Sequence, residues 1–141
     1  MKIVTDQNFL KIPCEKANLE EVSNIIFQLE KSLKESETEG IGLAANQIGI
    51  KKRVAIIRID KIKIDLVNAD IVKSYDKILI DGEGCLSFPG RTEKTFRYNE
   101  IQVKNDVYPY KFVAVGLLAV AIQHELDHLN GILFIERALP K

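Results

Sequence analysis

The run Leu117-Leu118-Ala119-Val120-Ala121-Ile122 passes without a break into Gln123-His124-Glu125-Leu126-Asp127-His128-Leu129-Asn130-Gly131. An apolar stretch that continues into a polar one and closes on glycine predicts a buried helix ending near Gly131. A helix buried on most sides must be packed by the remaining chain, so it constrains the fold more than any other segment. Within it, His124-Glu125-Leu126-Asp127-His128 is an H-E-x-x-H pattern. Residues four apart on a helix lie about 40° apart around the axis, so both imidazoles project from one face. Two imidazole nitrogens so placed can bind one metal ion. Glu125, about 100° round from His124, can then serve as a general base beside that ion. An isolated buried histidine is more often a hydrogen-bonded core residue, but His124 and His128 are the only two histidines in the chain.

Two histidines need a third ligand. Asp127 lies one residue before His128 and points away from the imidazole face, which suits it to fixing the helix or a ring N–H. Cys85 sits in Gly84-Cys85-Leu86-Ser87-Phe88-Pro89-Gly90, a segment framed by bend residues where a thiolate can face a site. Cysteine plus two histidines leaves a fourth position open, the arrangement of a catalytic metal. Taken by itself, Cys85 reads better as a small buried hydrophobe, as most free cysteines are. The other cysteine, Cys14, lies 71 positions away, and in a reducing compartment a disulfide is not expected.

Asn18-Leu19-Glu20-Glu21 reads as a helix start, and Val22, Ile25, Ile26, Leu29 and Leu33 follow at helical spacing. Ser36-Glu37-Thr38-Glu39 ends that helix in a polar loop. Gly40-Ile41-Gly42-Leu43-Ala44-Ala45-Asn46-Gln47-Ile48-Gly49 superficially matches a dinucleotide fingerprint, but a polar loop stands where that motif needs a strand. A plain turn accounts for its glycines and leaves Asn46-Gln47 unexplained. Strands are expected at 52–59, 62–67, 77–80, 96–103 and 107–113, with Asn105-Asp106 as a hairpin turn and Ile132-Leu133-Phe134-Ile135 as a last strand. The class is α+β, with mainly antiparallel sheets packed around the H-E-x-x-H helix plus one N-terminal helix, in a single domain over 1–141. Lys+Arg 20 against Asp+Glu 20 argues for neither nucleic acid nor an anionic membrane surface. The longest apolar run, Phe112 to Ile122, is 11 residues and too short to span a bilayer. No signal-peptide core follows Met1, so the cytoplasm is the default compartment.

Three stretches in order, Gly40 to Gln47, Glu83-Gly84-Cys85-Leu86-Ser87 and Gln123 to Gly131, resemble the three signature motifs of peptide deformylases. The resemblance runs from about Ile3 to Glu136. It implies Cys85, His124 and His128 as metal ligands and Glu125 as the catalytic carboxylate. It further implies that the Gln47 side chain and the Leu86 N–H hold the developing oxyanion. The ion implied is Fe²⁺, with Zn²⁺, Ni²⁺ or Co²⁺ able to occupy the site. The implied reaction is hydrolysis of the formyl group of N-formyl-methionyl peptides on nascent chains, releasing formate. Leu117, Val120 and Ala121 fall within about 60° of His124 and would line an apolar hollow for the methionine side chain. The peptide is expected to lie extended against Ile41-Gly42 and near Gly90. Arg97 is expected to pair with Glu83. Val115 stands where many relatives carry an aspartate before the helix, and Ala69 where a proline is common. The chain looks like the short forms of some phages, without a further C-terminal helix, so ribosome docking through that helix is not expected and a monomer is favoured. The rival readings are a zinc-dependent peptidase and a closed structural zinc module built from Cys14, Cys85, His124 and His128.

Overall fold

The computed structural model describes residues 3–36 and 41–139. Gly40 and the expected loop residues Glu37, Thr38 and Glu39 lie outside the described residues.

A short helix, α1 (Gln7–Leu10), opens the described chain, its first turn held by the Asp6 carboxylate accepting from the Asn8 N–H. Four residues carry too little periodicity to be read from sequence. Helix α2 (Leu19–Glu35) begins as its capping sequence requires, with the Asn18 N–H donating to Glu21 Oε2 at 2.8 Å. Val22, Ile25 and Leu29 are buried, while Ile26 and Leu33 pack at the edge of the same cluster.

Strands β1 (Gly42–Ala44), β2 (Val54–Ile59) and β3 (Ile62–Val67) form one antiparallel sheet in that order. The glycine-rich stretch is thus partly an edge strand, with Leu43 opposite Ile56. Strands β4 (Asp70–Gly84), β5 (Thr92–Lys104) and β6 (Lys111–Val115) form a second antiparallel sheet.

Helix α3 (Leu117–Leu129) lies between these layers, and every residue from Ala119 to Leu129 is buried. Ala119, Ile122, Leu126 and Leu129 pack with Ile57, Leu66, Ile101 and Val103, drawing both sheets into one core. The α+β class with antiparallel sheets around the H-E-x-x-H helix holds. At its start α3 has Gly116 and no side-chain cap.

Four local expectations change. The strand expected at 77–80 is part of the longer β4. The strand expected at 107–113 is β6 at Lys111–Val115. Asn105 does not open a two-residue turn: its N–H bonds the Tyr110 carbonyl and its Oδ1 accepts the Val67 N–H, so the connection widens to join the two sheets. Finally, 132–135 is no strand. The Glu136 carboxylate accepts the Leu133 N–H at 2.6 Å and winds Phe134–Arg137 into a 3₁₀ turn.

Candidate active site

Three elements bring the site together. Helix α3 supplies His124, Glu125 and His128; the end of β4 and the turn after it supply Glu83, Cys85, Leu86 and Ser87; and the 3₁₀ turn Ala45–Ile48 supplies Asn46 and Gln47. One ligand atom each from Cys85, His124 and His128 lies within 4.8 Å of the others. Cys85 Sγ is 3.2 Å from His128 Nε2, and the two imidazole centroids are 5.0 Å apart. Among the described residues Cys14 is not part of this group; it lies in the main core, its N–H donating to the Leu129 carbonyl. Burial pushes the Cys14 thiol up to about 11, with Arg53 and Lys51 opposing.

The ring orientations suit a metal. His124 Nδ1 faces Glu83 Oε2 at 2.6 Å, which fixes Nδ1 as the protonated nitrogen and leaves the Nε2 lone pair for a cation. Glu83 is anchored by Arg97 through Nε at 2.8 Å and Nη2 at 2.5 Å, and by the Thr95 hydroxyl at 2.7 Å. Burial raises the Glu83 carboxyl, but bonds from Arg97 and His124 outweigh it and hold it at about 2. Burial also disfavours a charged His124 ring, yet Cys85, Glu83 and Glu125 outweigh that penalty and lift its pKa to about 10. That excess negative charge is what a cation would neutralise, releasing the ring proton. His128 is pushed well below its ordinary value by burial and by the neighbouring charges of His124 and Arg97, so its ring stays neutral and able to donate a lone pair.

Glu125 is 4% exposed, and its Oε1 has no partner among the described residues. Burial first, then the charge of Glu83, raise its carboxyl to about 7, against the pull of His124 and Arg97. A carboxylate poised near neutrality suits it to both taking and giving a proton. Gln47 explains what a plain turn could not. Its Oε1 accepts the Ala44 N–H at 3.0 Å, and its Nε2 points to Ser87 Oγ at 3.1 Å and Cys85 Sγ at 3.6 Å. Asn46 Nδ2 donates to the His128 carbonyl at 2.8 Å and ties the turn to α3.

These groups open onto a cavity of about 770 Å³. Gln47, Cys85, Leu86, His124 and Glu125 all line it, and His128, 1% exposed, sits behind. Each of the residues expected to meet substrate, Ile41, Gly42, Gly90, Leu117, Val120 and Ala121, lies on its wall. A Cβ on Gly42 would meet Glu125 Oε2 at 2.7 Å, so the carboxylate fills the side-chain space the glycine leaves. Of the two roles expected for Asp127, it takes the first, fixing the helix, and not the second. It bonds Arg97 and Arg137 and no imidazole, and Glu83 holds the ring N–H instead. Ser87, Phe134 (6.0 Å from the His124 ring) and Arg137 were not read from sequence; Ser87 alone had a signal, its place two residues after Cys85.

Residues 1–141 match the family described as polypeptide deformylase. The chain belongs to the polypeptide deformylase family. It is 44% identical over 135 residues to a peptide deformylase of Natranaerobius thermophilus, covering 89% of this chain and 86% of that one. It is 48% identical over 101 residues to a peptide deformylase of Heliobacterium modesticaldum, covering 70% and 66% of the two chains. The structure superposes on a Synechococcus elongatus peptide deformylase in complex with actinonin at TM-score 0.89 and 32% identity, covering 100% of this chain and 79% of that one. It also matches the deformylase of a Vibrio parahaemolyticus bacteriophage, at TM-score 0.84 and 32% identity over 94% and 99% of the two chains. Deformylation of nascent peptides is the family's reaction, and it is metal-dependent. In this deformylase a cysteine and two histidines, Cys85, His124 and His128, could hold the ion.

Proposed function

We propose that the chain removes the formyl group from N-formyl-methionyl peptides, with Cys85, His124 and His128 as metal ligands and Glu125 as the proton-transfer group. The observation that carries the reading is the convergence of one sulfur and two ring nitrogens beside the cavity whose wall bears Glu125 and Gln47. A thiolate with two imidazoles is a donor set that suits Fe²⁺, Zn²⁺, Co²⁺ or Ni²⁺, and we take Fe²⁺ as the physiological ion. When bound, the ion supplies Lewis acidity, which polarises the formyl carbonyl and brings the pKa of water toward neutrality.

The chain's own residues supply the rest. Glu125, raised to about 7, accepts a proton from the attacking water and delivers it to the departing amine. The Gln47 amide and the Leu86 N–H donate to the oxygen on which charge develops, each worth roughly 3–4 kcal/mol in comparable sites. Glu83 and Arg97 keep the His124 ring turned with Nε2 inward. Val120 and Ala121, with Leu117 at the rim, offer an apolar wall to the methionine side chain. The free edge of β1 at Ile41-Gly42 and the exposed turn at Gly90 accept the peptide as an extended strand. No helix among the described residues is long and apolar enough to cross a membrane; a nascent-chain substrate supports action in the cytoplasm, and we take the protein to act as a monomer.

The test is formate release from formyl-Met-Ala-Ser by metal-loaded protein, beside cleavage of an unformylated peptide. Release of formate alone is expected. Cleavage of internal peptide bonds without it would replace this reading with a peptidase.

A further inference from the structure

Asp127 is held by two guanidinium groups. Arg97 Nη1 donates to Asp127 Oδ2 at 2.6 Å, while Arg137 donates from Nε to Oδ2 at 3.0 Å and from Nη2 to Oδ1 at 2.9 Å. Arg97 also grips Glu83 with its other two nitrogens, and Glu83 Oε2 reaches His124 Nδ1. Five side chains therefore form one line of charge-assisted bonds in the order Arg137, Asp127, Arg97, Glu83, His124. Four of them are buried; the Arg137 side chain, 43% exposed, is the end at the surface.

We infer that Arg137 is a positioning residue for the metal centre, acting on the His124 ring through Asp127, Arg97 and Glu83. The inference rests on the metal-site reading above. Arg97 takes only Oδ2 of Asp127, so its bond alone leaves the carboxylate able to turn about its last torsion. The two-pronged contact from Arg137 fixes both oxygens at once, as a planar guanidinium does and a lysine does not. A fixed Asp127 gives Arg97 Nη1 a fixed acceptor, which in turn sets how Arg97 meets Glu83 and how firmly Glu83 holds the ring. Couplings of this kind are strong in a buried setting, where little water screens them. Other contacts also anchor the segment after α3. The Leu139 N–H donates to the Lys94 carbonyl at 2.9 Å, Ala138 bridges to Thr95, and Phe134 packs on Phe88 at 5.2 Å.

Arg137→Met keeps the aliphatic stem and removes the fork. Two measurements on the full chain follow: the ring-nitrogen NMR signals of His124 in metal-free protein, and Co²⁺ affinity from the thiolate-to-cobalt absorption. The expected result is a shifted His124 signal and Co²⁺ binding about tenfold weaker, the lower end for partners of metal ligands. Millimolar guanidinium should restore both. A native His124 signal and native Co²⁺ affinity, with only a lower melting temperature, make Arg137 an anchor and overturn the inference. Should Arg137→Met fail to fold, Arg137→Lys carries the same test: a shifted ring supports the coupling and an unchanged ring ends it. If the unaltered protein takes up no Co²⁺, the metal-site reading fails instead, while the His124 signal still decides whether Arg137 reaches that ring.

Discussion

Gly42→Ala separates two reasons for a glycine at the cavity wall. Gly42 is not one of the positive-φ glycines, so its backbone conformation is open to alanine. Space is the constraint. The added Cβ would lie 2.7 Å from Glu125 Oε2, 3.0 Å from the Ile56 carbonyl and 3.1 Å from Ile57 Cδ1. The Ile56 carbonyl belongs to the sheet and yields little, and the Ile57 methyl can rotate away. Glu125 must therefore move, and ordinary contact at 3.4 Å requires a retreat of 3.4 − 2.7 = 0.7 Å. A catalytic group misplaced by roughly 1 Å costs on the order of 100-fold in rate. Turnover of Gly42→Ala should accordingly fall about 30- to 100-fold, or about 2–3 kcal/mol of barrier. Overpacking of this size costs about 1–3 kcal/mol of stability, which leaves the protein folded. The assay is formate release from formyl-Met-Ala-Ser at saturating peptide, normalised to bound metal. If Gly42 served only to admit the peptide backbone, KM would rise and kcat would hold. A folded, metal-loaded Gly42→Ala with native kcat refutes the claim that Glu125 depends on that empty space.

Glu125→Gln should keep the metal and lose at least about 100-fold in turnover; native turnover would remove Glu125 from proton transfer. The same variant reports on burial, because a carboxyl raised from 4.5 to about 7 is more easily protonated folded than unfolded. Its stabilising contribution is full below pH 4.5 and lost as pH rises through about 7, so at pH 8 the buried anion costs up to about 3 kcal/mol relative to acid. Metal-free Glu125→Gln should then melt close to the unaltered protein at pH 4 and above it at pH 8; coincident melting curves at pH 8 would contradict the burial argument. Cys85→Ser should lose at least about tenfold in metal retention, measured by elemental analysis after dialysis, since a serine hydroxyl replaces a thiolate donor. Full occupancy in that variant would take Cys85 out of the ligand set. Cys14→Ser should retain both metal and turnover, and loss of both would restore the closed four-ligand module.

What could be read from sequence was what depends on local spacing. The i, i+4 histidines, the apolar face of α2 and its Asn18–Glu21 start are properties of one helix each, and each formed as expected. Features that depend on closure of the chain were hidden. β1 is three residues with no alternation, and it becomes a strand only because β2 offers Ala55, Ile56 and Ile57 as partners. Gln47 gains meaning only when the turn that carries it meets the Cys85 segment, 38 positions later. Asp127, read from sequence as fixing either the helix or a ring N–H, faces about 100° away from its neighbour His128. Its carboxylate therefore turns to Arg97 on β5, whose other two nitrogens hold the Glu83 that meets His124.

The segment after α3 shows why composition misled at one point. Ile132-Leu133-Phe134-Ile135 has the β-branched and aromatic content of a strand. A strand also needs a hydrogen-bonding edge, and here the first backbone donors are already taken. The Gly131 N–H bonds the His128 carbonyl, the Ile132 N–H bonds the Asp127 carbonyl, and Glu136 claims the Leu133 N–H. The chain therefore coils tightly under α3, which buries Leu133 and Phe134 and sets the Phe134 ring against His124. An extended path would have carried Phe134 and Arg137 away from the helix. The same 3₁₀ turn thus gives the His124 ring an apolar neighbour on one side and brings a guanidinium to Asp127 on the other.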